Sequence, residues 1–211
     1  RGRRSMAEDC VLTLSVDHSF TRLTSDGHAS PVERALAAEV PVALEFNGIG
    51  YAVLMATPAE LIDLVYGFAL GERLIDQGSD ILDADAQAIP AGWIVRATLA
   101  PRVADRIYNR VRHRATDSAC GLCGVKGLEQ AVRALPRCES ALAATPEAIA
   151  RAFAKLSAWQ PGHRRTGGMH AAALATPQGE IVLAREDVGR HNALDKLIGA
   201  ASAAGLDPGR H

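Results

Sequence analysis

The chain has 211 residues, 48% of them hydrophobic, and a formal net charge of −1. This length can bury a sizeable core in one large or two small domains, and the near-neutral charge gives no overall attraction to nucleic acid or acidic membranes. Its four cysteines are too few for a disulfide scaffold, and no apolar run approaches the roughly 20 residues of a membrane helix. We therefore expect a reducing, cytoplasmic setting, with no nucleic-acid or membrane partner.

The first clear element is a β-hairpin after a weakly patterned start. Residues 1–38 show little periodicity and are expected to form a poorly ordered lead-in. Two β-prone runs, 40–46 and 49–55, then flank Asn47-Gly48. Because both central positions of a tight hairpin turn favour a positive φ, Asn-Gly in this setting predicts a hairpin.

A helix is predicted directly after this hairpin. Thr57 has the properties of an N-cap, Pro58 those of a first helical residue, and Glu60 could close a capping box. The apolar residues that follow share one helical face. They are Leu61, Leu64, Val65 and Phe68.

A strand is predicted over residues 93–99, followed by an arginine-rich helix. The apolar edge of that helix would be formed by Val103, Ile107 and Val111. Five arginines lie between this strand and the cysteine motif that follows. They are Arg102, Arg106, Arg110, Arg112 and Arg114. Arginine suits phosphate and carboxylate partners, although a solvated helix face explains the cluster equally well.

Three helices and a second hairpin are predicted in the second half of the chain. One helix would span 125–135, and another would begin at Thr145-Pro146 with Ile149, Phe153 and Leu156 facing inward. Residues 177–179 would form the hairpin turn. The last helix would have an apolar face made of Leu194, Leu197, Ile198 and Ala201. This mixture predicts an α+β protein with two small domains divided near residue 115.

The most reactive motif is Cys120-Gly121-Leu122-Cys123. Amides at the start of the predicted 125–135 helix would lower the pKa of a nearby thiol, which favours the reactive thiolate. Three uses of such a pair stay open from the residues alone. It could form half of a zinc site, act as a dithiol redox centre, or relay sulfur as a persulfide.

Two polar clusters lie downstream of the cysteines. The first, residues 166–170, has Gly167 and Gly168 leading into a strand that begins with His170. Taken alone, His170 is better explained as a hydrogen-bonded core histidine than as a site residue. The second cluster, residues 185–196, leads into the last helix, where a carboxylate one turn away could orient and charge His191. We predict a binding site at this strand-to-helix junction.

Together these motifs resemble the FdhD family of sulfur carriers required for formate dehydrogenase activity. The matching segments are the cysteine motif, the run Thr-Gly-Gly-x-His-Ala-Ala-Ala-Leu from Thr166, and the run Glu-Asp-Val-Gly-Arg-His-Asn-Ala-Leu-Asp-Lys from Glu186. Residues 42–68 also look like the N-terminal part of that family. The resemblance covers residues 40–205 approximately.

The resemblance implies a sulfurtransferase. A cysteine desulfurase would load sulfur onto Cys120, with Cys123 assisting or resolving the persulfide. The sulfur would then pass to the molybdenum or tungsten of a bis-molybdopterin guanine dinucleotide cofactor for formate dehydrogenase. No group would be permanently bound, but GDP or a related guanine nucleotide could bind, and a homodimer is expected. The candidate cofactor-binding residues are Thr166, Gly167, Gly168, His170, Glu186, Asp187, Arg190, His191, Asn192 and Lys196.

The resemblance also implies a fold: an α+β domain over 39–115, then a cytidine-deaminase-like αβα domain over 116–211. Because the family usually continues past the point matching His211, this second domain is expected to be C-terminally incomplete. The deaminase zinc signature is not met, since Ala172 stands where its glutamate would be, so no metal site is expected. The alternatives are a non-catalytic cofactor chaperone, or a thioredoxin-like or zinc-binding Cys-x-x-Cys protein.

Overall fold

A computed structural model describes residues 14–108, 137 and 143–206. It contains eight β-strands and five α-helices within those ranges. Parts of the sequence prediction lie outside the described residues. They are the cysteine pair Cys120 and Cys123, the 125–135 helix and the Val111 end of the arginine-rich helix.

The described chain begins with a two-stranded antiparallel ribbon. Strand β1 spans Ser15–Leu23 and β2 spans Ala29–Ala37, with Ser15 opposite Ala37 and Leu23 opposite Ala29. The expectation of a poorly ordered lead-in over 1–38 is therefore wrong for this part. Periodicity failed to reveal the ribbon because most of its side chains on both faces are exposed, so it lacks the alternation of a half-buried strand.

A four-stranded mixed sheet forms the main core. Its strands are β3 (Val40–Phe46), β4 (Ile49–Ala56), β5 (Ile81–Ile89) and β6 (Gly92–Leu99), in the order β4-β3-β6-β5. The hairpin predicted at Asn47-Gly48 is confirmed, with φ of 50° and 76° at the two residues. The strand predicted over 93–99 is confirmed as β6, which pairs in parallel with β3.

Helix α1 (Leu61–Gly71) covers one face of this sheet. All four residues predicted for its apolar face are buried: Leu61, Leu64, Val65 and Phe68. The predicted start of the helix is wrong. Its N-cap is Glu60, in the left-handed region at φ 52°, and no side chain caps the helix. Thr57 lies outside the helix because its backbone and hydroxyl bind residues far along the chain.

The predicted arginine-rich helix is short in the described region. Helix α2 spans Pro101–Ala104, and Val103 and Ile107 are both buried, as predicted. Two of its arginines bind acidic residues near the end of α1. Arg106 contacts both carboxylate oxygens of Asp76, at 2.8 and 2.9 Å, and Arg102 lies 2.6 Å from Asp80. These contacts give both arginines a structural partner.

The second half contains α3 (Pro146–Leu156), α4 (Pro161–Thr166), β7 (His170–Ala175), β8 (Ile181–Asp187) and α5 (Arg190–Ala203). The β7–β8 hairpin and the start of α3 are confirmed, since the Thr145 hydroxyl accepts a hydrogen bond from the amide of Ala148 at 3.2 Å. In the last helix, Leu197 and Ala201 are buried and Ile198 is half-buried, whereas Leu194 is 48% exposed.

The inward face predicted for α3 is wrong. Ile149 is 50% exposed and Phe153 71% exposed, while Leu156 is half-buried. The helix contacts the 177–179 turn through its Ala148 side instead, and Arg151 donates to the carbonyl of Gln178. In the described part of the chain, the turn covers the Ala148 side of α3 and leaves the Ile149 and Phe153 side chains exposed.

The two halves of the chain meet mainly where α1 packs against α5. Two glycines allow the backbones to approach closely. A Cβ added to Gly67 would lie 1.7 Å from the carbonyl oxygen of Asp195, and one added to Gly199 would lie 1.9 Å from that of Asp63. The predicted halves therefore share a tightly packed interface, and the domain division near residue 115 stays a prediction.

Candidate functional site

The two polar clusters predicted from the sequence meet at one end of the β7–β8 hairpin. His170 begins β7 and is the register partner of Asp187, which ends β8. Helix α4 joins them from the side, because the amides of Gly162 and His163 both donate to the carboxylate of Glu186 at 2.7 Å. The fold thus brings residues 166–170 and 186–191 to a single junction.

A buried ion pair forms the centre of this junction. Lys196 Nζ lies 2.6 Å from Asp187 Oδ2, and both side chains are fully buried. Lys196 also donates to the carbonyl of Thr57 at 3.0 Å. A buried charge pair is tolerated only when its remaining hydrogen-bonding capacity is satisfied, and here every interaction comes from within the chain.

The Asp187 carboxylate is surrounded by further donors. It accepts from the amide of Thr57 at 3.0 Å, from the amide of Gly189 at 2.8 Å and from Asn192 Nδ2 at 3.1 Å. Asn192 also donates to the carbonyl of Met55 at 2.8 Å. The network therefore ties the β8–α5 junction to the segment between β4 and α1.

Thr57 completes this network and was missed as a site residue. It is fully buried, and its hydroxyl accepts from the amide of Val188 at 3.0 Å. The Thr-Pro pair looked like a helix start, and its partners lie about 130 positions away, so no local signal points to this role.

The predicted cofactor-binding residues fall into two groups. Four are buried, and their side chains bind other parts of the chain. They are Glu186, Asp187, Asn192 and Lys196. Six reach the surface. Thr166 and His191 are half-buried, while Gly167, Gly168, His170 and Arg190 are exposed. In the described structure, the surface group is the one that can contact a ligand without rearrangement.

His191 differs from the other polar residues of the junction. Within the described part of the chain, its Nδ1 is the one buried side-chain nitrogen or oxygen without a hydrogen-bond partner. The Asp187 carboxylate, one turn from this ring, is bound to Lys196, Asn192 and backbone amides, so the orientation of His191 by a neighbouring carboxylate, Asp187 or Asp195, stays a prediction. Nδ1 therefore has unused hydrogen-bonding capacity, but because it is buried, a ligand would contact it only after the junction opens.

A second charged group links α1 to β8. Arg185 Nε lies 2.7 Å from Asp63 Oδ2 and 3.6 Å from Glu60 Oε1. Burial raises the pKa of the Glu60 carboxyl, and the positive charge of Arg185 partly opposes this. The group adds a polar rim to the buried network, but no sequence feature indicated that Glu60 or Asp63 would take part.

Among the described residues, no group of three or more His, Cys, Asp and Glu side chains could hold a metal ion. No helix in the same part of the chain is long and apolar enough to cross a membrane.

The geometry defines a mixed α+β protein with its candidate ligand surface at a strand-to-helix junction. A solved structure from Desulfotalea psychrophila, described as a formate dehydrogenase accessory protein, has a similar fold. It aligns with a TM-score of 0.64 at 21% identity, over 90% of this chain and 70% of that one.

The family model described as the FdhD/NarQ family matches residues 37–211. A protein named sulfur carrier protein FdhD, from Xanthomonas campestris pv. campestris (strain B100), is 41% identical over 181 residues, covering 86% of this chain. A protein of the same name from Variovorax paradoxus (strain S110) is 42% identical over 171 residues, covering 81% of this chain. The chain belongs to the FdhD/NarQ family. It spans 64% and 62% of the lengths of these two curated relatives.

Proposed function

We propose that this chain is a sulfur carrier that serves formate dehydrogenase. The observation that carries the proposal is the meeting of the two downstream family motifs at one junction, through the pairing of His170 with Asp187. The names of the relatives support the same role. The cysteine motif precedes this junction in sequence and supplies the thiol that the role requires.

The proposed chemistry begins with a persulfide on Cys120. The Cys120 thiolate attacks the persulfide of a cysteine desulfurase, takes its outer sulfur and leaves the desulfurase as a thiolate. The Cys123 thiolate would then attack the inner sulfur of this persulfide, which forms a Cys120–Cys123 disulfide and releases the outer sulfur as hydrosulfide. The two electrons that reduce the outer sulfur come from the two thiols. The acceptor of this sulfur would be the molybdenum or tungsten of the bis-molybdopterin guanine dinucleotide cofactor.

The junction would hold the nucleotide end of that acceptor. His191 has a buried ring nitrogen without an internal partner, its sequence neighbour Arg190 is exposed, and so is His170, the register partner of Asp187. The same groups could bind GDP or a related guanine nucleotide. Asp187, Asn192 and Lys196 would support these residues from beneath rather than contact the acceptor.

A sulfur-loading assay tests the proposal directly. The chain is incubated with a cysteine desulfurase and ³⁵S-cysteine, and protein-bound label is measured before and after reduction. We expect reducible label that disappears in Cys120→Ala and is kept in Cys138→Ala, a control cysteine outside the motif. Full labelling of Cys120→Ala would contradict the assignment. The pH at which Cys120 alkylation reaches half its maximal rate should lie below the free-cysteine pKa of about 8.5, because a thiolate is the reactive form.

The second candidate is a non-catalytic cofactor chaperone. The observation that favours it is the surface group at the junction, which could bind a nucleotide without any cysteine. GDP binding and rescue of formate dehydrogenase by a Cys120→Ala/Cys123→Ala variant would support it. About one tightly held zinc per chain would instead favour the zinc-binding alternative.

The proposal extends to fold and assembly. Residues 116–211 would form a cytidine-deaminase-like domain, and the chain would form a homodimer. The hairpin and helices α3 to α5 are compatible with such a domain. Sedimentation velocity across a range of concentrations tests the dimer.

A further inference from the structure

The β1–β2 ribbon has two chemically different faces. Residues that pair across the ribbon point to the same side, so the register fixes both faces. The even-numbered face carries three successive pairs: Val16 with Leu36, His18 with Arg34, and Phe20 with Val32. We call these six side chains the even face. The odd-numbered positions form the odd face.

The odd face is the one that packs against the rest of the protein. Arg165 of α4 binds both carboxylate oxygens of Asp17, at 2.8 and 2.9 Å. Nearby, Ala37 packs beside the buried cluster that includes Leu14 and Met169. Both Asp17 and Ala37 have odd numbers, so α4 supports the ribbon from that side and the even face points away from it.

The even face is apolar and exposed. Val16 is 58% exposed, Phe20 41% and Leu36 44%. A cluster of exposed apolar side chains commonly marks an interaction surface. This exposure indicates that the even face is covered when the protein works.

The charges on the even face indicate what covers it. The His18–Arg34 pair lies between the two apolar pairs, and Arg22, opposite Ser30, continues the same side. None of these cross-strand pairs contains a carboxylate. A matching surface would therefore offer apolar side chains with carboxylates between them.

We propose that the even face docks an acidic, apolar segment of a protein partner. The choice of partner rests on the proposed function: the segment belongs to the protein that delivers or receives sulfur. A protein partner is favoured over nucleic acid or an anionic membrane because few cations lie among these apolar groups and the chain has a net charge of −1.

Binding measurements on the full chain test this proposal. Affinity is measured for a purified cysteine desulfurase and for purified formate dehydrogenase, at low and high salt. The test variants are Phe20→Ser/Leu36→Ser, which removes apolar contact, and Arg34→Glu, which reverses charge. The matched control is Leu23→Ser, because Leu23 is 74% exposed and lies on the odd face of the same ribbon. Since all these side chains reach the solvent, folding should persist, which circular dichroism checks.

We expect wild type to bind one of the two proteins, with affinity that falls as salt rises. Both test variants should bind it at least about tenfold more weakly, while the control stays within about twofold. Equal affinity for wild type and test variants, or no binding to either protein, would overturn the proposal. A change from dimer to monomer in Phe20→Ser/Leu36→Ser would also overturn it, because the even face would then be a dimer interface. The same holds if wild type and the control bind phosphatidylserine vesicles or duplex DNA and the test variants do not.

The outcome is separable from that of the proposed function. Persulfide loading on Cys120 is measured from protein-bound ³⁵S. Binding to the partner protein is measured separately, with both motif cysteines replaced. If loading occurs but the test variants bind like wild type, the docking face is wrong and sulfur transfer stands. If wild type binds through the even face but never acquires sulfur, the docking face stands and the proposed function is wrong.

Discussion

Lys196 lies 2.6 Å from Asp187, and neither side chain is exposed to solvent. This pair joins the helix that ends the described chain to the end of strand β8, and Thr57 links both to the first half of the protein. Both residues belong to the polar motif at the junction, yet each is bound within the chain and neither side chain reaches the surface.

Removing the Lys196 ammonium while keeping Asp187 should lower the stability of the fold. Lys196→Met keeps much of the side-chain volume but leaves the Asp187 carboxylate buried with an uncompensated charge. We expect unfolding free energy to fall by about 3–5 kcal/mol, measured by urea denaturation. Adding Asp187→Asn to Lys196→Met should cost less than the sum of the two single changes, because the unpaired charge is then gone. Strict additivity would show that the pair is not coupled.

Thr57 offers a test of the link between the halves. Thr57→Val preserves shape but leaves the Val188 amide without its acceptor, so we expect a loss of about 1–3 kcal/mol. Thr57→Ser keeps the hydroxyl and should be much closer to wild type. Amide hydrogen exchange should show faster exchange at Val188 in the valine variant. Similar exchange at this amide in both variants would argue against the assigned hydrogen bond.

The α1–α5 contact should depend on Gly67 more than on Gly71, although both lie in the same helix. A Cβ on Gly67 would meet backbone atoms of Asp195, the nearest at 1.7 Å, whereas one on Gly71 would lie 3.7 Å from the Asp195 side chain. Gly67→Ala should therefore destabilise by about 1–3 kcal/mol or more, since backbone must move. Gly71→Ala is the matched control and should be near neutral. Equal thermal midpoints would contradict the close packing.

Acid stability should depend on Asp80. Burial opposes ionisation of this carboxyl, but amides of Asp76 and Gln77 together with Arg102 outweigh it and hold the pKa below its ordinary value of 3.8. A lowered pKa in the folded state stabilises the fold above that ordinary value, and this contribution is lost as the pH falls through the folded pKa. Asp80→Asn should therefore be less stable than wild type near neutral pH, with the difference shrinking below about pH 4.

The control for this pH experiment is Asp83→Asn. Asp83 lies three residues away and is exposed on β5. Thermal midpoints measured from pH 3 to pH 7 should follow wild type in this control. A pH-independent difference between Asp80→Asn and wild type would show that the carboxylate contributes through hydrogen-bond geometry rather than through its charge.

Local signals identified much of the fold. Asn47-Gly48 determined a hairpin because few other residue pairs accept positive φ at both positions, and Thr145-Pro146 determined a helix start because each meets a local requirement of a helix N-terminus. The apolar spacing of Leu61, Leu64, Val65 and Phe68 correctly identified the buried face of α1. The same spacing failed for Ile149 and Phe153, because burial requires a partner that periodicity cannot supply.

The sequence by itself indicated the family and located the cysteine pair and the two motifs of the junction, since these depend on residue types at fixed spacing. Only the tertiary structure separated the buried residues Glu186, Asp187, Asn192 and Lys196 from the exposed ones, and only it added Thr57. The physical reason is distance along the chain. Asp187 and Lys196 are close in sequence, but Thr57, which binds both, lies 130 and 139 positions before them, and contacts over such separations leave no local pattern.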